Sequence, residues 1–324
     1  MKPGLPVEGS ITRLIGDLHS LCHGEQTVAR LIGCGEPAIE PLREFLLQGR
    51  PSSVYEPRRW AVEALAGLGA WHVLVEYLLT PRQIADPVAR FGEEAVESAA
   101  ARELAAWRTE SVFRLLLDLA HERFRVGLIE ALGEFRRTEA IPVFDRALED
   151  DYYRSAAEQA LRRLGPAARP ALVLSAVTPL PNAVAESTSS LRRRRSVLTL
   201  LAEMGIAAED APALRPLADS ADPELVVGAV RLVAPFAAPG ERFLLARRLL
   251  EVLYAAGWFL QDDIETCLML LEGAARKLVD DQVRQRMHLP AEERAADSAL
   301  HTLLRVQRRL GGKEARGRLG TTAP

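Results

Sequence analysis

The sequence predicts an all-α solenoid (superhelix) of about seven stacked helical hairpins, closed by a helical C-terminal cap. Three observations carry that expectation. A short motif recurs along the 324 residues, apolar positions inside each copy fall at i, i+3, i+4 and i+7, and an alanine- and leucine-rich composition holds only 6% aromatics. Small residues let helices pack closely, and a single hairpin cannot bury a wide apolar stripe, so several copies must stack.

The motif is clearest in Pro57 to Gly69 (PRRWAVEALAGLG), Phe124 to Phe135 (FRVGLIEALGEF) and Tyr153 to Gly165 (YRSAAEQALRRLG). Each has an arginine near its start, an Ala-Leu pair seven residues on, and a glycine or turn beyond. The leucine of that pair has equivalents at Leu31, Leu65, Leu104, Leu132, Leu161, Leu201 and Val233, separated by 34, 39, 28, 29, 40 and 32 residues. Loop insertions into a two-helix unit produce such a spread. A second helix follows in Pro37 to Leu47, Glu139 to Leu148 and Pro166 to Leu174, where proline recurs near the first turn, a place at which its missing N–H costs nothing.

The repeats are expected over 10–238, with an insertion at 81–92, where Pro81 and Pro87 break the pattern, and a Pro/Ser-rich hinge at 178–190. Residues 239–310 read as longer amphipathic stretches forming the cap. Residues 311–324 carry little apolar content and read as a disordered tail.

Bulk charge is close to balanced at -3, although 38 arginines stand against three lysines, Lys2, Lys277 and Lys313. No strong field is available to recruit nucleic acid or an anionic membrane. No apolar run is long enough to span a bilayer. Cys22, Cys34 and Cys267 form no disulfide framework and no basic-then-apolar leader opens the chain, so a reducing cytoplasm is the expected location.

The pattern D/E-P-x-x-R-x-A-x-x-A-L-x-x-L-G followed by A-x-x-P-L resembles HEAT repeats, in particular the short phycobilisome-lyase-like subtype, over roughly residues 25 to 250. In such units the motif arginine ties adjacent repeats together through an acidic neighbour. Arg58, Arg125, Arg154 and Arg194 occupy that place, whereas Glu97 and Val226 depart from it. The resemblance also implies that the motif helix lines the concave surface. The outward positions along it are Arg59, Glu63, Arg102, Glu130, Gln159, Arg195 and Arg231, and Tyr55 and Tyr152 are the aromatic contributors; Trp60, Trp71 and Trp107 fall at core or turn positions.

Other clusters have simpler readings. His19, Cys22, His23 and Cys34 offer metal-ligand types, with His19 and Cys22 or His23 expected on one helix face, yet their spacing matches no closed zinc pattern and Cys34 stands at a core position. His121-Glu122 resembles one His-Glu pair of deoxyhypusine hydroxylase, which needs several; Glu122 reads instead as a helix-start cap. Glu149 to Asp151, Asp262-Asp263 with Glu265, and Asp280-Asp281 read as caps or solvated faces. Arg192 to Arg195 is the densest basic run and could meet phosphate or an acidic partner surface.

No catalytic residue, metal or cofactor is assigned. The function that needs no missing chemistry is a protein-interaction scaffold gripping a partner on the concave face. Two alternatives come from the resemblance alone. HEAT-like DNA glycosylases hold alkylated DNA in a basic groove, which the alternating charges here do not form, and phycobilisome-lyase-like proteins attach linear tetrapyrroles to partner proteins.

Overall fold

The computed structural model describes residues 8–20, 22–80, 82–181 and 185–319, with side chains through Gly311. The chain divides into two compact units, Met1–Leu164 and Gly165–Pro324.

The first unit holds α1 (Glu8–Asp17), α2 (Gly24–Cys34), α3 (Ile39–Gln48), α4 (Glu56–Gly67), α5 (Trp71–Leu79), α6 (Pro87–Leu104), α7 (Glu110–Glu122), α8 (Val126–Phe135), α9 (Ile141–Ala147) and α10 (Asp151–Leu164). Among the described residues these pair as five hairpins, each odd-numbered helix against the even-numbered one that follows. The even-numbered helices also pack side by side in chain order and form a front layer, with the odd-numbered helices behind. The motif leucines Leu31, Leu65, Leu104, Leu132 and Leu161 all fall in the front layer and are all fully buried. Within 81–92 the chain is irregular only as far as Asp86, because α6 begins at Pro87; Pro81 lies outside the described residues.

The second unit repeats the arrangement. It comprises α11 (Arg169–Val177), α12 (Thr188–Met204), the short α13 (Ala211–Leu214) continued by a 3-10 turn, α14 (Pro223–Val233), α15 (Pro239–Leu253), α16 (Gln261–Leu271), α17 (Gly273–Met287), α18 (Ala291–Ala296) and α19 (Ser298–Leu319). Here α12, α14, α16 and α19 form the front layer, backed by α11, α13, α15 and α17. Hairpin pairing thus runs on past residue 238. The last helix covers 311–319, which the sequence reads as the start of a tail, and residues 320–324 lie outside the described residues. Within 178–190 the helix α12 begins at Thr188, capped by the Ser187 hydroxyl, while 182–184 lie outside the described residues.

Local chemistry explains the elements. Proline occupies the first turn of α4, α6, α9, α11, α13, α14 and α15, and Asp86 and Asp222 cap α6 and α14 through backbone N–H groups. A glycine with positive φ follows α2, α4, α10 and α12 as Gly35, Gly69, Gly165 and Gly205; at the end of α8 a left-handed helical conformation falls on Arg136. Layer packing is close. A Cβ on Gly127 of α8 would stand 2.2 Å from the Ser98 carbonyl oxygen of α6, and one on Gly133 would stand 2.9 Å from Ala160 Cβ of α10.

Candidate functional site

The motif arginines show where the repeats are tied. Arg58 is buried on α4 and donates to Glu93 of α6, which also accepts from the Tyr77 hydroxyl, while a second Arg58 N–H reaches the Leu46 carbonyl. Arg82, from the insertion, stands 3.4 Å from Glu93 and donates to the Leu46 and Gly49 carbonyls at 3.0 Å, closing the C-terminal end of α3. Burial alone would raise the Glu93 carboxyl; hydrogen bonds from Arg58 and Tyr77 outweigh it and hold Glu93 below its ordinary value. Burial pushes the Tyr77 hydroxyl well above its own, with Glu93 beside it acting in the same sense.

Glu97 replaces the motif arginine on α6 and reverses the direction of the tie. It accepts from Arg123 at 2.9 Å and from Arg125 at 2.8 Å, and Arg123 also donates to the Leu78 carbonyl of α5. In the second unit Arg194 donates to the Ala176 carbonyl of α11 at 2.7 Å and pairs with Glu186 at 2.5 Å. Arg154 differs from the expectation. It pairs with Asp151 and reaches Glu158, both on its own helix, because its position on α10 brings those carboxylates one turn away. The acceptors on α6 are the functional signal that motif reading passed over: three glutamates, 93, 94 and 97, gathered where the arginine pattern fails.

The outward positions of the front layer are largely bonded to one another. Arg59 pairs with Glu63 one turn on, and Arg102 of α6 pairs with Glu130 of α8. Gln159 is exposed on α10, Tyr152 is 56% exposed at its start, and Tyr55 is half-buried before α4. In the second unit Arg195 holds Asp222 and lies 2.8 Å from Glu224, and Arg231 stands 3.8 Å from Asp263. Burial works against the Arg195 charge, but its bonds to Asp222 prevail and keep it firmly ionised. The basic run 192–195 is therefore no free stripe: Arg193 donates to the Thr178 carbonyl, and Arg194 and Arg195 are committed as described.

Arg195 and Arg231 border a cleft of about 290 Å³ on the second unit's front layer. Its floor is apolar, with Leu198, Val227 and Leu260, and is widened by Gly228, where a Cβ would stand 3.0 Å from the Leu198 side chain. Glu203, Glu224 and Asp263 complete the rim, and exposed Thr199 lies among them. Trp258, 83% exposed, belongs to the turn that leads to Leu260.

Three sequence expectations fail on geometry. Helix α1 ends at Asp17, so His19, Cys22 and His23 sit in the following turn and share no helix face, while Cys34 lies at the far end of α2 and is half-buried rather than in the core, because the helix ends there. His19 packs edge-on against Phe45, and the Cys34 thiol donates to the Arg30 carbonyl. No three potential metal ligands gather among the described residues. Glu122 is the last residue of α7, so it caps no helix start. Glu265, read as solvated, is buried between Arg305 and Arg309, each 2.7 Å away; burial would raise its carboxyl, and those bonds hold it low. Trp60 is buried, Trp107 half-buried and Trp71 exposed at the start of α5. No described helix is long and apolar enough to cross a membrane.

Residues 87–162 match the family model for HEAT repeats, the segment from α6 to the last turn of α10. No curated protein sequence matches significantly. Among solved structures, a chain of the complex of CpcE and CpcF of phycocyanin lyase from Nostoc sp. PCC7120 is similar, with 20% identity over 85% of this chain and 97% of that one, at a TM-score of 0.34.

Proposed function

We propose, on the premise that residues 87–162 are HEAT repeats, that the protein is an interaction scaffold holding a partner protein against the exposed face of its front-layer helices. The observation that carries the reading is the cleft between α12 and α14. It combines an apolar floor with charged groups of both signs, as a bound peptide segment with one apolar side chain and flanking charges requires.

Part of the rim is ready to exchange partners. The Arg231 and Asp263 side chains are each about half exposed, at 51% and 53%, and their 3.8 Å separation is long. Exposed pairs of that kind contribute only about 0–1 kcal/mol, so swapping one for a partner's charge costs little. Arg195, held by two carboxylates, instead fixes the wall. Arg59, Arg102, Glu63 and Glu130 belong to the same reading as a patterned, charge-neutral face that rejects partners with the wrong order of charges. Handling of DNA is the weaker reading, because the outward arginines alternate with carboxylates and form no continuous positive stripe.

A photoreactive side chain at Thr199 tests this in native cell extract. The expectation is one discrete cross-linked protein, lost when Arg231→Glu is added and retained with Arg247→Glu, whose exposed side chain lies on α15 in the back layer. Cross-linking to nucleic acid, or capture indifferent to Arg231→Glu, overturns the reading.

A further inference from the structure

The first unit carries a second feature that the front face does not absorb. Its front-layer helices start at unequal depths. Pro87 lies seventeen residues before the motif leucine of α6, Asp151 ten before that of α10, and Val126 only six before that of α8. At about 1.5 Å per residue, α8 begins roughly 6 Å short of α10 and 16 Å short of α6. Its taller neighbours therefore flank a notch above its first turn.

An open cavity of about 630 Å³ lies along this notch, lined by loop residues 82–85, by Arg90, Glu93, Glu94 and Glu97 of α6, and by Arg123 and Arg125. Aromatic rings stand at its α10 side. Phe124 meets Tyr153 edge-on at 5.4 Å, and Tyr153 meets the exposed Tyr152 at 5.0 Å. Burial raises the Tyr153 hydroxyl, and the negative charges of Glu94 and Asp150 act in the same sense. On the other side the first turns of α6 expose Val88 and Phe91, at 58% and 55%, one turn apart on one face.

The charges in this notch do not cancel. Glu93 is satisfied by Arg58 and Arg82, and Glu97 by Arg123 and Arg125. Glu94 lies 3.4 Å from Arg125. Arg90 is exposed and, among the described residues, has no carboxylate within ion-pair distance; its only bond is a 3.5 Å contact to the Ala85 carbonyl. Four guanidinium groups thus line the cavity with three carboxylates, and the uncommitted one, Arg90, lies on the helix whose first turns also expose Val88 and Phe91.

We infer that the notch over α8 is a docking site for an acidic peptide segment of a partner protein, with a carboxylate on Arg90 and an aromatic or aliphatic side chain against Tyr152 or Phe91. The charge excess selects the sign of the ligand. The flanking rings and Phe91 select a peptide over a bare anion, because they supply apolar area that a small anion cannot use. The site belongs to the first unit and is independent of the α12–α14 cleft.

Fluorescence anisotropy on the full chain tests it with labelled dodecapeptides. The probe contains glutamates, serines and two phenylalanines; one control replaces every glutamate with lysine and another replaces both phenylalanines with serine. Saturable binding of the probe is expected, weakened by about tenfold in Arg90→Glu, weakened in Tyr152→Ala, reduced by added salt, and unchanged in Arg231→Glu. Both notch variants alter exposed side chains, so an unchanged circular dichroism melt accompanies them. Equal binding of the lysine peptide, absence of saturable binding, or indifference to Arg90→Glu overturns the proposal. Because Arg231→Glu disables only the cleft, failure here and failure of the front-face reading are read separately.

Discussion

Glu93 is the residue on which the first unit's polar interior turns. It is 3% exposed and binds Arg58, Tyr77 and Arg82, so three side chains from α4, α5 and the insertion converge on one carboxylate of α6. Removing one member of a buried ion pair leaves the other charge uncompensated and costs about 3–5 kcal/mol. Glu93→Gln should therefore lower urea-derived stability at pH 7 by an amount in that range. The pH dependence has a definite sign. Because the folded carboxyl is held below its unfolded value of about 4.3, its contribution is present above that pH and is lost as pH falls through the folded value. The wild-type chain should lose stability steeply below about pH 4, and Glu93→Gln should flatten that limb. Parallel acid limbs would mean that Glu93 is not the carboxylate responsible. The sequence pointed to Arg58 through the motif, but its acceptor lies 35 positions away, outside any local pattern.

At the scale of the element, close approach between front-layer helices decides which glycines can change. A methyl group on Gly127 would meet the Ser98 backbone at 2.2–2.6 Å, and backbone cannot rotate aside as a side chain can. Gly127→Ala should therefore part α6 from α8 and lose about 1–3 kcal/mol, despite the gain of about 1 kcal/mol that alanine brings to a helix interior. A methyl group on Gly16 of α1 would meet nothing within 4 Å, so Gly16→Ala should stabilise by the propensity alone. Thermal melts of the two variants should move in opposite directions; equal gains would show that α6 and α8 are not packed as described. Helix starts and ends were legible because proline, capping residues and the 3.6-residue period act locally. The unequal start of α8 was not, since Arg123, Phe124 and Arg125 look as helical as the residues after them, and only the extended backbone of Arg123 and Arg125 and their bonds to Glu97 and Leu78 place this stretch outside the helix.

For the whole molecule, each unit is a stack in which the described hairpins pack mainly against their neighbours, so stability is largely a sum of local and nearest-neighbour terms. Native-state hydrogen exchange should reveal gradients within each unit: slowest amides in α4, α6 and α8 and in α14 and α16, faster ones in α1, which among the described residues has neighbours on one side only. Uniform protection across α1 and α6 would contradict the stacked arrangement. The chain's balance of charge has the same origin as its arginine content. Guanidinium groups are committed to carboxylates and carbonyls of adjacent repeats, as with Arg102 and Glu130 or Arg248 and the Ala218 carbonyl, and so give the molecule cohesion without a field.

The sequence by itself determined the helical class, the repeat, the motif leucines of the core and the positions of the motif arginines. These follow from periodicity and from backbone preferences that operate within a few residues. Only the tertiary structure decided which carboxylate each arginine meets, that the helix pairing extends to α19, that His19, Cys22, His23 and Cys34 stay apart, that a cleft opens between α12 and α14, and that a notch opens where α8 starts later than its neighbours. Those outcomes depend on residues far apart in the chain coming into contact, as Arg58 does with Glu93 and Arg123 with Leu78, and the free energy that selects them is side-chain burial and charge pairing between helices, which no local pattern records.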